Sequence, residues 1–136
     1  MAKQSKKKLQ TIGKQNKVRG SNFERQIAKE LRELGFTQVV TSRSESKSTD
    51  DNKVDIIDKA KQLPFDMQIQ TKKTSSTPSY FGIREQSTVD NESFVIIWSK
   101  TKRTGMKMST VGDAVIMDKS LFYKLIKTYA ESNGSV

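Results

Sequence analysis

The chain has 136 residues, 33% of them hydrophobic and 29% charged, with a formal net charge of +10. It holds no Cys and no His, which excludes disulfides, thiolate catalysis, histidine general bases and histidine-based zinc sites. Any chemistry falls to carboxylates, amides, hydroxyls and amines, and hard oxygen ligands of that kind select Mg²⁺ over zinc.

Charge is unevenly spread. Of the 25 Lys and Arg, seven (Lys3, Lys6, Lys7, Lys8, Lys14, Lys17, Arg19) lie in the first 20 residues with no acid, leaving 18 basic against 15 acidic in the body. Residues 1–19 read as a disordered basic tail that attracts a polyanion with strong salt dependence, or merely solubilises the chain. No stretch approaches the ~18–20 consecutive apolar residues of a membrane span, and the polar N-terminus lacks the apolar core of a secretory signal. The expectation is a cytoplasmic protein with no membrane partner. Its length suits a single domain, 20–131, followed by a polar tail, 132–136.

Ser21-Asn22-Phe23-Glu24 reads as a capping box opening a helix. Phe23, Ile27, Leu31 and Leu34 give that helix one apolar face, and Gly35 stops it. Thr37–Thr41 (TQVVT) reads as a strand, Ser42–Lys53 as a polar loop, Val54–Ile57 (VDII) as a short strand and Lys59–Pro64 as a turn. Phe65–Thr71 alternates, with Phe65, Met67 and Ile69 facing one way and Asp66, Gln68, Gln70 and then Lys72 the other. Thr74–Ser79 is a loop and Tyr80–Gln86 a short helix. Phe94–Trp98 (FVIIW) is nearly continuous apolar sequence, as a central strand covered on both faces requires. Lys100–Gly105 reads as a basic hairpin-like turn, with weaker strands near Lys107 and over Ala114–Met117. Asp118 caps a last helix whose buried face carries Leu121, Phe122, Leu125, Ile126 and Tyr129. The order α-β-β-β-α-β-β-α predicts an α/β fold, a small mixed sheet flanked by helices.

Asp55 stands inside an apolar strand, and Gln70 and Lys72 at i, i+2 project from one face of the next. A carboxylate, an oxygen ligand and an ammonium on neighbouring strands are what metal-assisted phosphodiester hydrolysis needs. The oxygens hold the metal, the metal activates water, and the lysine assists that water or the developing charge. Blander readings stand beside this one. Glu24 lies where a capping box wants Glu for structural reasons, a strand Asp suits a sheet edge, and Gln68, Gln70 and Lys72 suit the solvated face of an antiparallel sheet.

The ordered set resembles the PD-(D/E)xK nuclease superfamily and, more narrowly, the archaeal-type Holliday junction resolvases and their phage relatives. It comprises Arg19-Gly20-Ser21-Asn22-Phe23-Glu24 opening the first helix and Leu31-Arg32-Glu33-Leu34-Gly35-Phe36 closing it. The Ser/Arg-rich loop Ser42–Lys47, then Val54-Asp55-Ile56-Ile57, then Ile69-Gln70-Thr71-Lys72 follow. The resemblance runs from Arg19 to Lys73, with weaker support to Tyr129. It implies a restriction-endonuclease-like fold, with Asp55 as the metal-binding aspartate, Lys72 as the catalytic lysine and Glu24 as the helix glutamate completing the metal site. The Thr71 carbonyl would be a further ligand, and Ser44 or Ser46 the loop serine near the scissile phosphate. Gln70 departs from the family's usual Glu: its amide oxygen still coordinates a hard cation but brings no charge, so metal affinity should fall.

The implied activity is a Mg²⁺-dependent endodeoxyribonuclease, with Mn²⁺ as possible substitute, that resolves four-way DNA junctions by paired symmetric nicks as a homodimer. Arg19, Arg43, Lys47, Lys53 and Lys73 are the candidate DNA contacts, with Lys100, Lys102 and Arg103 as further phosphate contacts. The alternatives are another structure- or sequence-specific nuclease of the superfamily, or a catalytically impaired DNA-binding protein of the same fold. Small size and the basic tail suit a phage or bacterial origin.

Overall fold

The apolar run beginning at Phe94 becomes the middle of the molecule. A computed structural model describes residues 21–42, 54–87 and 91–134. Helix α1 spans residues 21–33. There follow β1 (Val39–Thr41), β2 (Ile56–Asp58), β3 (Gln68–Thr74), α2 (Tyr80–Gln86), β4 (Phe94–Thr104), β5 (Lys107–Met117) and α3 (Lys119–Ser132). The expected element order is the observed one. The five strands form one sheet in the order β1-β2-β3-β4-β5. All neighbours pair antiparallel except β3 and β4, which run parallel from Gln68↔Phe94 to Thr74↔Lys100. A parallel pair needs a crossover, and α2 lies in it.

Alternation along β4 assigns the two faces. Phe94 and Ile96 are buried with Tyr80 of α2, and Ile83, Trp98 and Ile116 pack around them. Val95 faces the other way, into the larger core of Phe23, Ile27, Ala28, Val39, Ile56, Leu63, Ile69 and Leu121. Helices α1 and α3 therefore cover one face and α2 the other. Full burial of a side chain such as Phe94 contributes about 1.5–3 kcal/mol, so this strand anchors both layers.

Several boundaries differ from the sequence reading. Ser21 lies within α1 rather than capping it, and its hydroxyl accepts a hydrogen bond from Arg25 Nη2 at 2.8 Å. Leu34, expected on the apolar face, is 74% exposed, because the helix ends at residue 33 and Gly35 turns the chain away at φ 113°. Strand β1 keeps only the last three residues of the predicted one. Strand β3 starts later and runs further, since Pro64 has no N–H for a ladder and opens a 3-10 turn, Pro64–Asp66, with Phe65 and Asp66 left-handed at φ 54° and 55°. Phe65 is consequently 42% exposed rather than core.

At the other end, the predicted basic turn is strand. β4 continues through Lys100 to Thr104, the turn is Gly105-Met106, and the two weak strands beyond it are one continuous β5. Asp118 caps α3 as expected, accepting the Ser120 N–H. Only Leu121 and, partly, Leu125 of that helix reach the core, while Phe122, Ile126 and Tyr129 are exposed. Its apolar stripe is wider than the strip of sheet it covers.

Candidate functional site

Asp55, Gln70 and Thr71 come together where β2 pairs with β3. These strands share the register pair Ile56↔Ile69, and one antiparallel step further Asp55 comes beside Gln70. Asp55 lies just ahead of β2 rather than inside a strand. Its backbone is held on both sides: its N–H donates to Ile69 O at 2.9 Å, and its carbonyl accepts from Ser42 N at 2.8 Å. Its carboxylate turns into the seam, where Oδ2 accepts the Thr71 N–H at 2.8 Å and the Thr71 hydroxyl at 3.3 Å. A side-chain oxygen thus takes a strand N–H that a neighbouring carbonyl would otherwise claim, which explains why β2 starts at Ile56, two residues later than the sequence reading placed it.

Gln70 is 6% exposed and is not the solvated face of an open sheet. Its neighbour in β4 is Ile96, and that of Lys72 is Trp98, so both project toward the α2 face, Lys72 half-buried. The Gln70 Oε1 has no hydrogen-bond partner among the described residues. An unmet buried acceptor costs about 1–3 kcal/mol, and a bound cation would offset that cost. Ile69 and Lys73 point to the α1 side, where Lys73 Nζ lies 6.0 Å from the Phe23 ring centroid. Glu24 comes from that side: the first turns of α1 bring Phe23 and Ile27 onto the core, and Glu24 between them is 4% exposed.

The structure brings Asp55 into contact with Thr71, sets Gln70 and Lys72 on one face beside them, and supplies Glu24 from the helix on the other. Among the described residues no three Asp, Glu, His or Cys side chains form a metal-holding group. Asp55, Gln70 and the Thr71 carbonyl are all hard oxygen donors, a set that fits Mg²⁺ or Mn²⁺. Arg19, Arg43, Ser44, Ser46, Lys47 and Lys53 lie outside the described residues, as does the basic tail.

Ser42 was missed by sequence reasoning. It is fully buried, its hydroxyl has no hydrogen-bond partner among the described residues, and its N–H is tied to Asp55. As the first serine of the Ser/Arg-rich loop, it could have been found by asking which one adjoins β1.

The α2 layer beneath Gln70 is fastened independently. The Tyr80 hydroxyl donates to Phe94 O at 2.7 Å, and burial pushes its pKa above 10.0 against the opposing pull of Arg84. Arg84 stacks over Tyr80 and Phe81 and pairs with Asp118 at 2.9 Å. Asp118 is held below its ordinary 3.8, first by the Ser120 hydroxyl and N–H and further by Arg84.

A five-stranded mixed sheet with this helix order, and with acid, amide and lysine at the seam of β2 and β3, defines the small restriction-endonuclease-like class of α/β proteins. The model of the archaeal Holliday junction resolvase (Hjc) family matches residues 15–87, and the chain belongs to that family. The match covers α1 through α2, and hence every candidate catalytic and metal-binding residue, while β4, β5 and α3 lie beyond it. Neither the curated proteins nor the solved structures yield a match. Family membership makes the protein a resolvase-type nuclease directed at branched DNA, in a family that generally uses a divalent metal. Among the described residues no helix is long and apolar enough to cross a membrane.

Proposed function

We propose that the protein is a Mg²⁺-dependent endonuclease that resolves four-way DNA junctions by paired nicks as a homodimer. The observation that carries this reading is the Asp55 carboxylate fixed at the Thr71 N–H beside a buried, unpartnered Gln70 oxygen. In this reading Asp55, Gln70 Oε1 and the Thr71 carbonyl hold the metal, with Glu24 completing the set from α1. When bound, the ion lowers the pKa of a coordinated water and neutralises charge on the phosphate.

The chain's own groups do the rest. Lys72, on the same face as Gln70, places an ammonium where negative charge grows on the scissile phosphate. Thr71 fixes the Asp55 rotamer through two hydrogen bonds, so the carboxylate is oriented before substrate arrives. Ser42, whose N–H holds the Asp55 carbonyl, steadies Asp55 from the end of β1, and Ser44 or Ser46 would be the serine beside the phosphate. Lys73, with Arg19, Arg43, Lys47 and Lys53, would bind backbone phosphates and position the branch. Twofold symmetry of a dimer matches that of a four-way junction, giving two nicks on opposed strands. Phe122, Ile126 and Tyr129, exposed along α3, offer an apolar surface for that pairing.

The test is cleavage of a labelled synthetic four-way junction with Mg²⁺, with Mn²⁺ and with EDTA, beside Asp55→Ala and a linear duplex. Symmetric, metal-dependent nicks on the junction alone, absent in Asp55→Ala, are expected. Equal cutting of the duplex would remove the junction specificity. Tight binding without cutting under either metal would make the protein a binder whose metal site Gln70 has weakened.

A further inference from the structure

Pairing of β3 with β4 ends at Thr74↔Lys100, yet β4 and β5 go on as a ribbon of two strands to Thr104↔Lys107. Its turn, Gly105-Met106, has Gly105 at φ 63° in the first central position, as a tight two-residue hairpin requires. Residues 102–110 are all exposed, and the Met106 side chain, at 98%, has almost no contact with the protein. Segment 100–112 carries Lys100, Lys102, Arg103 and Lys107 and no acid. An uncompensated basic ribbon with an apolar tip is poorly explained as a structural element, since beyond Thr101 it buries nothing.

Its orientation ties it to the site. β4 alternates without interruption, because the bulge at Lys100/Thr101 places the extra residue, Val111, on β5. Trp98, Lys100, Lys102 and Thr104 therefore share the face of Gln70 and Lys72, and Lys107, opposite Thr104, joins them. At ~3.3 Å per residue the turn stands roughly 20 Å along the strand from Trp98, the neighbour of Lys72. That is about six base pairs of B-DNA at ~3.4 Å each.

We propose that this ribbon is a DNA-gripping arm: Lys100, Lys102 and Lys107 follow the phosphates of the duplex leaving the site, and Met106 is a wedge against unstacked bases at the branch point. The proposal rests on the reading of the protein as a branched-DNA nuclease, and its residues lie outside the family match. Lysines on one side of a ribbon neutralise successive phosphates, and an exposed unbranched thioether inserts where base stacking is already broken. A linear duplex has no such break, so the wedge favours junctions whereas the lysines serve both.

The experiment measures binding of full-length protein to a four-way junction and to a linear duplex over a range of salt, with 2-aminopurine at the branch point. Lys100→Ala/Lys102→Ala/Lys107→Ala should flatten the slope of log affinity against log salt by about three on both DNAs. Met106→Ala should lose junction preference and the 2-aminopurine fluorescence rise, leaving duplex binding as in wild type. Thermal unfolding matching wild type, expected for exposed residues, excludes misfolding. A triple variant with the wild-type slope overturns the phosphate grip, and an unchanged 2-aminopurine signal in Met106→Ala overturns the wedge. Wild-type protein without junction preference overturns the parent reading together with the arm, whereas junction preference retained by Met106→Ala, with a wild-type salt slope in the triple variant, overturns the arm alone.

Discussion

The carboxylate of Asp55 accepts the backbone N–H of Thr71 at 2.8 Å, so one side chain both closes the seam between β2 and β3 and presents a charge there. The two roles separate by substitution. Asp55→Asn keeps an acceptor oxygen for Thr71 and should melt close to wild type while losing metal-dependent cleavage. Asp55→Ala leaves the Thr71 N–H unmet, and should lose cleavage together with about 1–3 kcal/mol of stability. Urea unfolding of both variants, run beside the junction assay, checks the distinction.

Gln70→Glu puts a buried carboxylate where the amide oxygen has no partner among the described residues. In EDTA the variant should melt below wild type, since burying an uncompensated charge is costly. Added Mg²⁺ should raise its melting temperature by more than it raises that of wild type, and half-maximal cleavage should need less metal. A melting temperature insensitive to Mg²⁺ in both proteins would place the metal elsewhere.

Asp118 links stability to pH. Its folded pKa lies below the ordinary 3.8, so it stabilises the fold above that value, and the contribution is lost as pH falls through the lowered one. Asp118→Asn preserves a capping oxygen and removes the charge facing Arg84. The urea midpoints of variant and wild type should differ at pH 7 and converge as pH falls below 3.8.

Ile126 is 50% exposed in the single chain, in line with Phe122 and Tyr129 along α3. If this stripe joins two copies, Ile126→Glu should sediment as a monomer with nearly unchanged circular dichroism. A dimer undisturbed by the substitution would direct attention to the exposed face of β5.

What was legible in the sequence was whatever local chemistry decides. Asp118 precedes α3 as a cap because its oxygen reaches the Ser120 N–H, and Tyr80–Gln86 is helix between loops. The spacing of Gln70 and Lys72 fixed their common face, and the apolar run at Phe94 required cover on both sides. The rest depended on contacts between distant segments. Periodicity told which residues of α3 share a side, but not that the sheet would cover Leu121 and leave Ile126 bare. Alternation at Phe65 concealed a left-handed turn, because the pattern says nothing about φ. Lys-Thr-Lys-Arg reads as a turn because a strand whose one buried residue here is Thr101 has no apolar signature. That Ser42 is tied to Asp55 is decided by tertiary structure alone.

The tight closure at Gly105-Met106 also orders events in time. Hairpins of this kind form within about 1–10 μs, because pairing starts at the turn and each later pair closes almost no loop. Joining β3 to β4 in parallel must wait for the whole α2 crossover to be arranged. The β4–β5 hairpin is thus the expected nucleus, and β3, β2 and β1 add to it in reverse order of their synthesis. The N-terminal half of the sheet, including the segment bearing Asp55, would leave the ribosome first and acquire its native partners last.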